Sequence, residues 1–495
     1  MQQSKLLKKF AGETAIYGIT HTLGRFINFL LVPLYTATLP VDQYGGLNLY
    51  YAIVGFAIVV LMYGMETAFF NFARSEKPTS VFATGQISLL ISTGFLMILG
   101  LIFQHHIARF LEHDGEGHFV RFLVFILALD TLSNLPLAWL RFNHQSVRFG
   151  IIRITNILVN VGANLTFLVL IPWMEQKGYV SGWFNPDFGI GYVFVSNLLA
   201  SGVMFVMLLP QWRSITEGFD KALWQKMWRY GRPLIFIGLA GIINETLDRV
   251  LQRKLLPDDI ADFEIGIYSG FYKLSMLMTL AVQSFRFAAE PFFFEQSKGE
   301  NPKAVYAKVM HYFILVLSFI LLGTLVFLDQ IGPVLLRNDA FFSHEAAPYL
   351  TPILLMANLF LGAMYNLNIW YKLNDKMKLG MYIAIGGAIA TIVLNVVLIP
   401  LIGIMGSAIA TLVVYAGMCF ASYSMGRKHY PVPYNLKIIF FYILLALALY
   451  VVYNVLCAIS GRLDLLWSFI SVITFAVIAY FIERPPKNRK FAAND

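Results

Sequence analysis

Apolar runs of twenty or more residues recur along the chain, broken by short polar, basic or proline-containing stretches. A bilayer core takes about 20 consecutive apolar residues per helix, so these runs read as spanning helices. They fall near 11–38, 46–72, 82–104, 120–140, 151–171, 190–210, 233–256, 265–294, 309–329, 350–371, 379–399, 404–425, 438–457 and 465–482. The pattern predicts an all-α polytopic membrane protein with about 14 transmembrane helices. Lys5, Lys8 and Lys9 precede a long first helix spotted with polar residues, and no small-residue cleavage site follows. That helix is expected to stay rather than to be removed as a signal peptide.

Composition agrees with the pattern, at 58% hydrophobic and 13% charged residues. The formal charge of +9 invites a nucleic-acid reading, and the placement of the basic residues decides against it. With a cytoplasmic N-terminus, 26 Lys and Arg fall in the tails and loops of the inner side and 7 in those of the outer side. The positive-inside rule then puts both termini in the cytoplasm and accounts for the net charge without nucleic acid as a partner.

Part of the chain occurs twice. A gapless shift of 224 positions lays Thr22, Leu23 and Arg25 on Thr246, Leu247 and Arg249, and Pro33 on Pro257. The same shift matches Tyr44 with Tyr268, Gly46 with Gly270, Glu66 with Glu290 and Phe69-Phe70 with Phe293-Phe294, and with Leu31, Ala37 and Ala57 also matching it gives 12 identities in 49 positions. Val169-Leu170-Ile171-Pro172 returns as Val397-Leu398-Ile399-Pro400. The chain therefore divides into an N-terminal lobe of helices one to six (1–210) and a C-terminal lobe of helices seven to twelve (233–425). Between them lies a cytoplasmic amphipathic linker (211–232) with Trp224 and Trp228, and after them a last helix pair with a basic tail (426–495). Six helices bring both copies into the membrane in the same sense. Parallel repeats of this kind are expected to place a site near the midplane between them and to alternate access by rocking.

Four basic residues fall at membrane depth: Arg25, Arg249, Lys273 and Arg286. The acids at depth are Glu66, Asp130, Glu245, Asp248 and Glu290. A charge there costs about 2.5 to 3.5 kcal/mol even on a lenient scale, so each should face a partner or a cavity. Glu245 and Arg249, and likewise Arg286 and Glu290, are four residues apart and share a helix face. They read either as ion pairs locking helices or as parts of a site, and the recurrence of Arg25 as Arg249 adds weight to the second. Thr14, Tyr17, Gly18, His21, Arg25 and Asn28 form one polar stripe, and Gly238, Gly241, Glu245, Asp248, Arg249 and Gln252 another. Asn156, Asn160 and Asn164 share a face, as interhelical glue or as donors to a hydroxylated substrate.

Fourteen helices in a six, six and two arrangement resemble the Wzx-type polysaccharide flippases of the multidrug/oligosaccharidyl-lipid/polysaccharide exporter superfamily. The opening helix with an embedded Arg carries the resemblance, with Pro33, Leu39-Pro40 and Tyr44-Gly45, and a second helix ending Gly64-Met65-Glu66-Thr67-Ala68-Phe69-Phe70 before Arg74. The resemblance implies an inner-membrane protein that moves undecaprenyl-diphosphate-linked oligosaccharide units from the cytoplasmic to the outer leaflet, for lipopolysaccharide O-antigen or exopolysaccharide. It also implies basic cavity residues that receive the diphosphate and a last helix pair that accommodates the lipid tail. On this chain the diphosphate ligands are then Arg25 and Arg249 first, because guanidinium offers bidentate donors to phosphate. Lys273 and Arg286 come next, and His21, Asn28, Glu245 and Asp248 supply further polar cavity groups. The deep acids outnumber the deep bases, which makes Glu66, Asp130 and Glu290 candidates for coupling to H+ or Na+.

Enzyme readings find little to stand on. The outer loops are short, and neither a phosphate-binding glycine loop with a Lys nor a nucleophile elbow is present. His105, His106, His113 and His118, with Glu112, Asp114 and Glu116, lack tight ligand spacing and read as a solvated loop, so no metal and no cofactor are expected. The expected partners are the lipid-linked oligosaccharide, membrane lipids and polysaccharide assembly proteins. A cation-drug antiporter, a peptidoglycan lipid-precursor flippase and a non-transporting scaffold for glycan assembly remain as alternatives.

Overall fold

In lipid every backbone polar group needs an internal partner, so an apolar chain of this length resolves into helices. The computed structural model describes residues 26–27, 29–113, 115–297, 299–374, 376–460 and 464–484, and among them there is no strand. The principal helices of the first half are α1 (Val32–Thr38), α2 (Val41–Met62), α3 (Met65–Phe72), α4 (Pro78–Ile102), α5 (Gln104–Phe110), α6 (Gly117–Phe142), α7 (Ser146–Leu165) and α8 (Gly191–Leu208). The second half contributes α9 (Lys221–Leu255), α10 (Ala261–Gln296), α11 (Pro302–Val326), α12 (Ala347–Leu367), α13 (Met377–Ile402), α14 (Ile404–His429), α15 (Leu436–Ser460) and α16 (Asp464–Glu483).

Local chemistry sets the ends. The Asp220 carboxylate accepts from the backbone N–H of Ala222 at 2.8 Å and of Leu223 at 3.0 Å, which starts α9, and Pro257 lies just beyond its end. Asn301 caps α11 through the Ala304 N–H, with Pro302 in the first helical position. The expected second helix is broken in two. Tyr63 and Gly64 take left-handed φ values of 31° and 72°, and a Cβ on Gly64 would come within 2.8 Å of the Gly231 carbonyl oxygen. Close backbone approach and a left-handed turn together require glycine there.

Twelve helices of the described chain are long and apolar enough to cross a membrane, and they coincide with twelve of the fourteen runs read from the sequence. Most of the first run lies outside the described residues. The seventh is present as the latter part of α9, where Glu245, Asp248, Arg249, Arg253 and Lys254 lower its hydropathy. The amphipathic stretch before it is not a separate element: it belongs to the same continuous helix, which runs through Pro233. Trp224 and Trp228 stack there with ring planes 6° apart, and Trp224 Nε1 donates to Ser88 Oγ at 2.7 Å.

The chain forms two compact units. The first takes the described residues of Met1–Lys273 together with Leu336–Ala347 and Met381–Val414. In it α8 packs on α6 and α7, and α4 packs on α6. Helix α9, which opens the second sequence copy, packs on α2 and α3 of the first copy. Phe69, Phe82, Trp139 and Phe142 meet through their rings in its core. The second unit takes Leu274–Leu335, Pro348–Gly380 and the described residues of Tyr415–Asp495. There α11 packs on α15 and α16, and Phe285 stacks on Phe313 at 3.7 Å.

Glycines bring two helices of the first unit into backbone contact. The N-terminal turns of α2 and α10 cross with almost no separation. A Cβ on Gly45 would overlap the Asp262 carbonyl oxygen, and one on Gly266 would overlap that of Val41. A Cβ on the adjacent Gly46 would come within 3.1 Å of the His113 imidazole, and one on Gly270 within 2.7 Å of the Phe341 ring.

Candidate functional site

Arg249 is buried and engaged rather than open to a cavity. Its Nη1 donates to Asp248 Oδ1 at 2.8 Å and to the Glu245 carbonyl oxygen at 2.9 Å. Tyr268 donates its hydroxyl to the other Asp248 oxygen at 2.6 Å. The guanidinium also lies 4.4 Å from the Tyr272 ring centre and 5.4 Å from that of Tyr268. Asp248 and Arg249 are 3% and 6% exposed, so this is a neutralised pair inside the protein. The pairing differs from the four-residue spacing expected from the sequence: the partner carboxylate is Asp248, while Glu245 contributes its backbone carbonyl and exposes its side chain. The long guanidinium stem reaches an adjacent residue as readily as one a turn away. One turn along α9, Gln252 is fully buried with neither amide atom hydrogen-bonded among the described residues, and the Tyr44 hydroxyl is likewise unpartnered. Lys273 is half-buried, within electrostatic reach of Arg249 and Glu245.

Glu66 and Asp130, read as coupling candidates, sit in one chain of charges in the first unit. Arg141 Nη2 donates to Glu66 Oε1, and its guanidinium lies 5.1 Å from the Phe70 ring centre. Arg153 feels Asp130, Arg141 and Glu66 together, and Ser201 lies near Asp130. Sequence reasoning misses Arg141 and Arg153 as site residues because both fall near helix ends, where a charge count assigns them to a loop. The structure places Arg153 well inside α7 and Arg141 in the last turn of α6.

Arg286 lies in the second unit and is exposed, with its guanidinium 4.8 Å from the Tyr365 ring centre. It borders a cavity of about 110 Å³, together with Lys372, Asn368 and Tyr371. Arg25, His21 and Asn28 lie outside the described residues, as does the side chain of Glu290. Asn164 is buried and donates to the carbonyl and side-chain oxygens of Asn160 on its own helix.

One residue of the histidine-rich loop is not solvated. His113 has a side chain 9% exposed, and its Nδ1 and Nε2 each lie 2.9 Å from a carboxylate oxygen, of Glu116 and Asp262 respectively. Tyr50 donates its hydroxyl to the same Glu116 oxygen at 2.9 Å. Arg253, 5% exposed, donates to the carbonyl oxygens of Leu111, Glu112 and Asp258, and Lys254 donates to Glu112 at 2.7 Å. The loop is thereby fastened to the α9–α10 turn. Sequence spacing carries no sign of this, because Asp262 is remote from His113 along the chain. Among the described residues no group of three His, Cys, Asp or Glu side chains is placed to hold a metal.

Residues 10–297 match a family described as polysaccharide biosynthesis protein. No curated protein matches the sequence. Among solved structures, the lipid II flippase MurJ in an inward closed conformation superimposes with a TM-score of 0.69 at 13% identity, over 94% of this chain and 98% of that one. An inward-facing multidrug resistance MATE transporter gives 0.60 at 13% identity, over 82% and 94%. The Vibrio cholerae MATE transporter VcmN in its bent form gives 0.56 at 12% identity, over 89% and 99%. At such identities the likeness is one of fold.

Proposed function

Because the chain belongs to the polysaccharide biosynthesis protein family, we propose that it is a flippase for undecaprenyl-diphosphate-linked oligosaccharides. It carries these units by alternating access from the cytoplasmic to the outer leaflet of the bacterial inner membrane, for surface polysaccharide synthesis. Both termini face the cytoplasm, as the distribution of Lys and Arg favours. The chain performs no chemistry on its substrate. The 1–210 and 233–425 copies act as the two moving lobes.

The observation that carries this reading is the cavity of Arg286. A charged guanidinium exposed in an otherwise apolar helical body, beside Lys372 and Asn368, suits a polyanion such as a diphosphate. Arg286 is the first candidate for this contact; Arg249 suits a diphosphate only after Asp248 releases it, and Lys273 and Arg25 remain further candidates. Glu66 and Asp130, next to arginines, serve the fold more directly than ion coupling.

Reconstitution with a fluorescent lipid-diphosphate oligosaccharide tests the reading. Leaflet transfer above that of empty liposomes, lowered at least tenfold by Arg286→Ala in a folded protein, is the expected result. Extrusion of a cationic dye without lipid transfer would identify a drug antiporter instead. Transfer confined to the peptidoglycan precursor would identify a cell-wall flippase, and no transport of either would identify a scaffold.

A further inference from the structure

The His113 cluster joins the two sequence copies at one end of the first unit. The loop carrying Glu112, His113 and Glu116 belongs to the first copy, while Arg253, Lys254, Asp258 and Asp262 belong to the second. At the same end the backbones of α2 and α10 touch through Gly45 and Gly266, and His113 covers Gly46. Such a seam lacks interlocking side chains along its glycine contacts, so polar bonds decide whether it stays shut. With the imidazole protonated, His113, Arg253 and Lys254 offset three of the four carboxylates of Glu112, Glu116, Asp258 and Asp262. With the imidazole neutral, two carboxylates flank it and only one of them can receive its single N–H.

We propose that His113 is a proton-binding site of the transport cycle, held between Glu116 and Asp262 while this end is closed and releasing its proton to water when the end opens. The proposal rests on the alternating-access reading and adds to it the coupling ion, a proton, and the place where it binds. Burial by itself opposes charge on His113. Hydrogen bonds and charge from Asp262 and Glu116 outweigh it and raise the group from an ordinary 6.5 to about 9. By linkage, a raised value means that closure is fully favoured below about 6.5 and loses that support as pH rises through about 9. The shift corresponds to a fall of about 300-fold in the ratio of closed to open forms across that window. Tyr50, Glu112, Arg253, Lys254 and Asp258 also face the cluster.

The full chain, with Cys419→Ser and Cys457→Ser and spin labels at His106→Cys and Asp259→Cys, allows the separation of loop and turn to be read by pulsed electron resonance. In proteoliposomes without substrate, the short-distance population should fall between pH 6.5 and 9.5. In His113→Gln it should be independent of pH, and in Asp262→Asn its midpoint should move toward 6.5. A flat wild-type profile, or a His113→Gln profile that titrates like wild type, overturns the proposal. If His113→Gln does not fold, an unmoved midpoint in Asp262→Asn overturns it. None of these outcomes depends on lipid transfer, so the flippase reading stands or falls separately.

Discussion

Asp248 holds Arg249 with one carboxylate oxygen at 2.8 Å and accepts the Tyr268 hydroxyl with the other at 2.6 Å, so one buried anion is shared by a cation of α9 and a phenol of α10. Removing one partner of a buried pair leaves a charge uncompensated and costs about 3 to 5 kcal/mol. Asp248→Asn should therefore lower the thermal unfolding midpoint in detergent far more than Tyr268→Phe, for which about 1 to 2 kcal/mol is expected. A double variant, Asp248→Asn with Arg249→Gln, should recover part of the loss. Equal effects of the two single variants would show that the buried ion pair adds nothing beyond the Tyr268 hydrogen bond.

The crossing of α2 and α10 tolerates no side chain at Gly45 or Gly266, since the added carbon would overlap the backbone carbonyl oxygens of Asp262 and Val41. Gly45→Ala and Gly266→Ala should each separate the helices and reduce folded yield, with a penalty of about 1 to 3 kcal/mol or more. Gly94→Ala, where nothing lies within 4 Å, is the matched control and should behave as wild type.

Glu66 and Arg141 form an ion pair beside the Phe70 ring, in a network with Arg153 and Asp130. If the pair serves the fold, Glu66→Gln and Arg141→Gln should each reduce stability while the double variant recovers it, and lipid transfer should follow folded yield. Transfer lost in Glu66→Gln at full yield would assign the carboxylate to ion coupling.

Arg286 and Lys372 border one small cavity, yet their chemistry is not interchangeable. Arg286→Lys keeps the charge and loses the planar fork that grips two phosphate oxygens. Transfer should fall by an intermediate factor, between wild type and Arg286→Ala, with the loss expressed as weaker apparent affinity for the lipid diphosphate.

The loop around His113 should also have an acid limit. Burial would raise the Glu116 carboxyl, but hydrogen bonds and charge from His113, with the Tyr50 hydroxyl, bring it below its ordinary 4.5. A lowered acid contributes stability that is present above its unfolded value and is lost as pH falls through its folded one. Labels at His106→Cys and Asp259→Cys should therefore report a second opening below about pH 4.5, which Glu116→Gln removes while the alkaline limb persists.

The membrane as solvent, the number of apolar runs and the duplication are all legible in the sequence, because each rests on composition or register that no folding can alter. Arg249, Asp248, Lys273 and Arg286 stand out there too, because charge among apolar residues is rare at any depth. What each charge faces is settled by the packing of the chain. Helical spacing suggested Glu245 for Arg249, whereas the shared carboxylate is Asp248, since a phenol from α10 fixes it in place. The same holds for His113, which reads as one of several loop histidines until chain crossing brings Asp262 to its Nε2. Partners far apart in sequence leave no periodic trace, and here they are what gives the charges their roles.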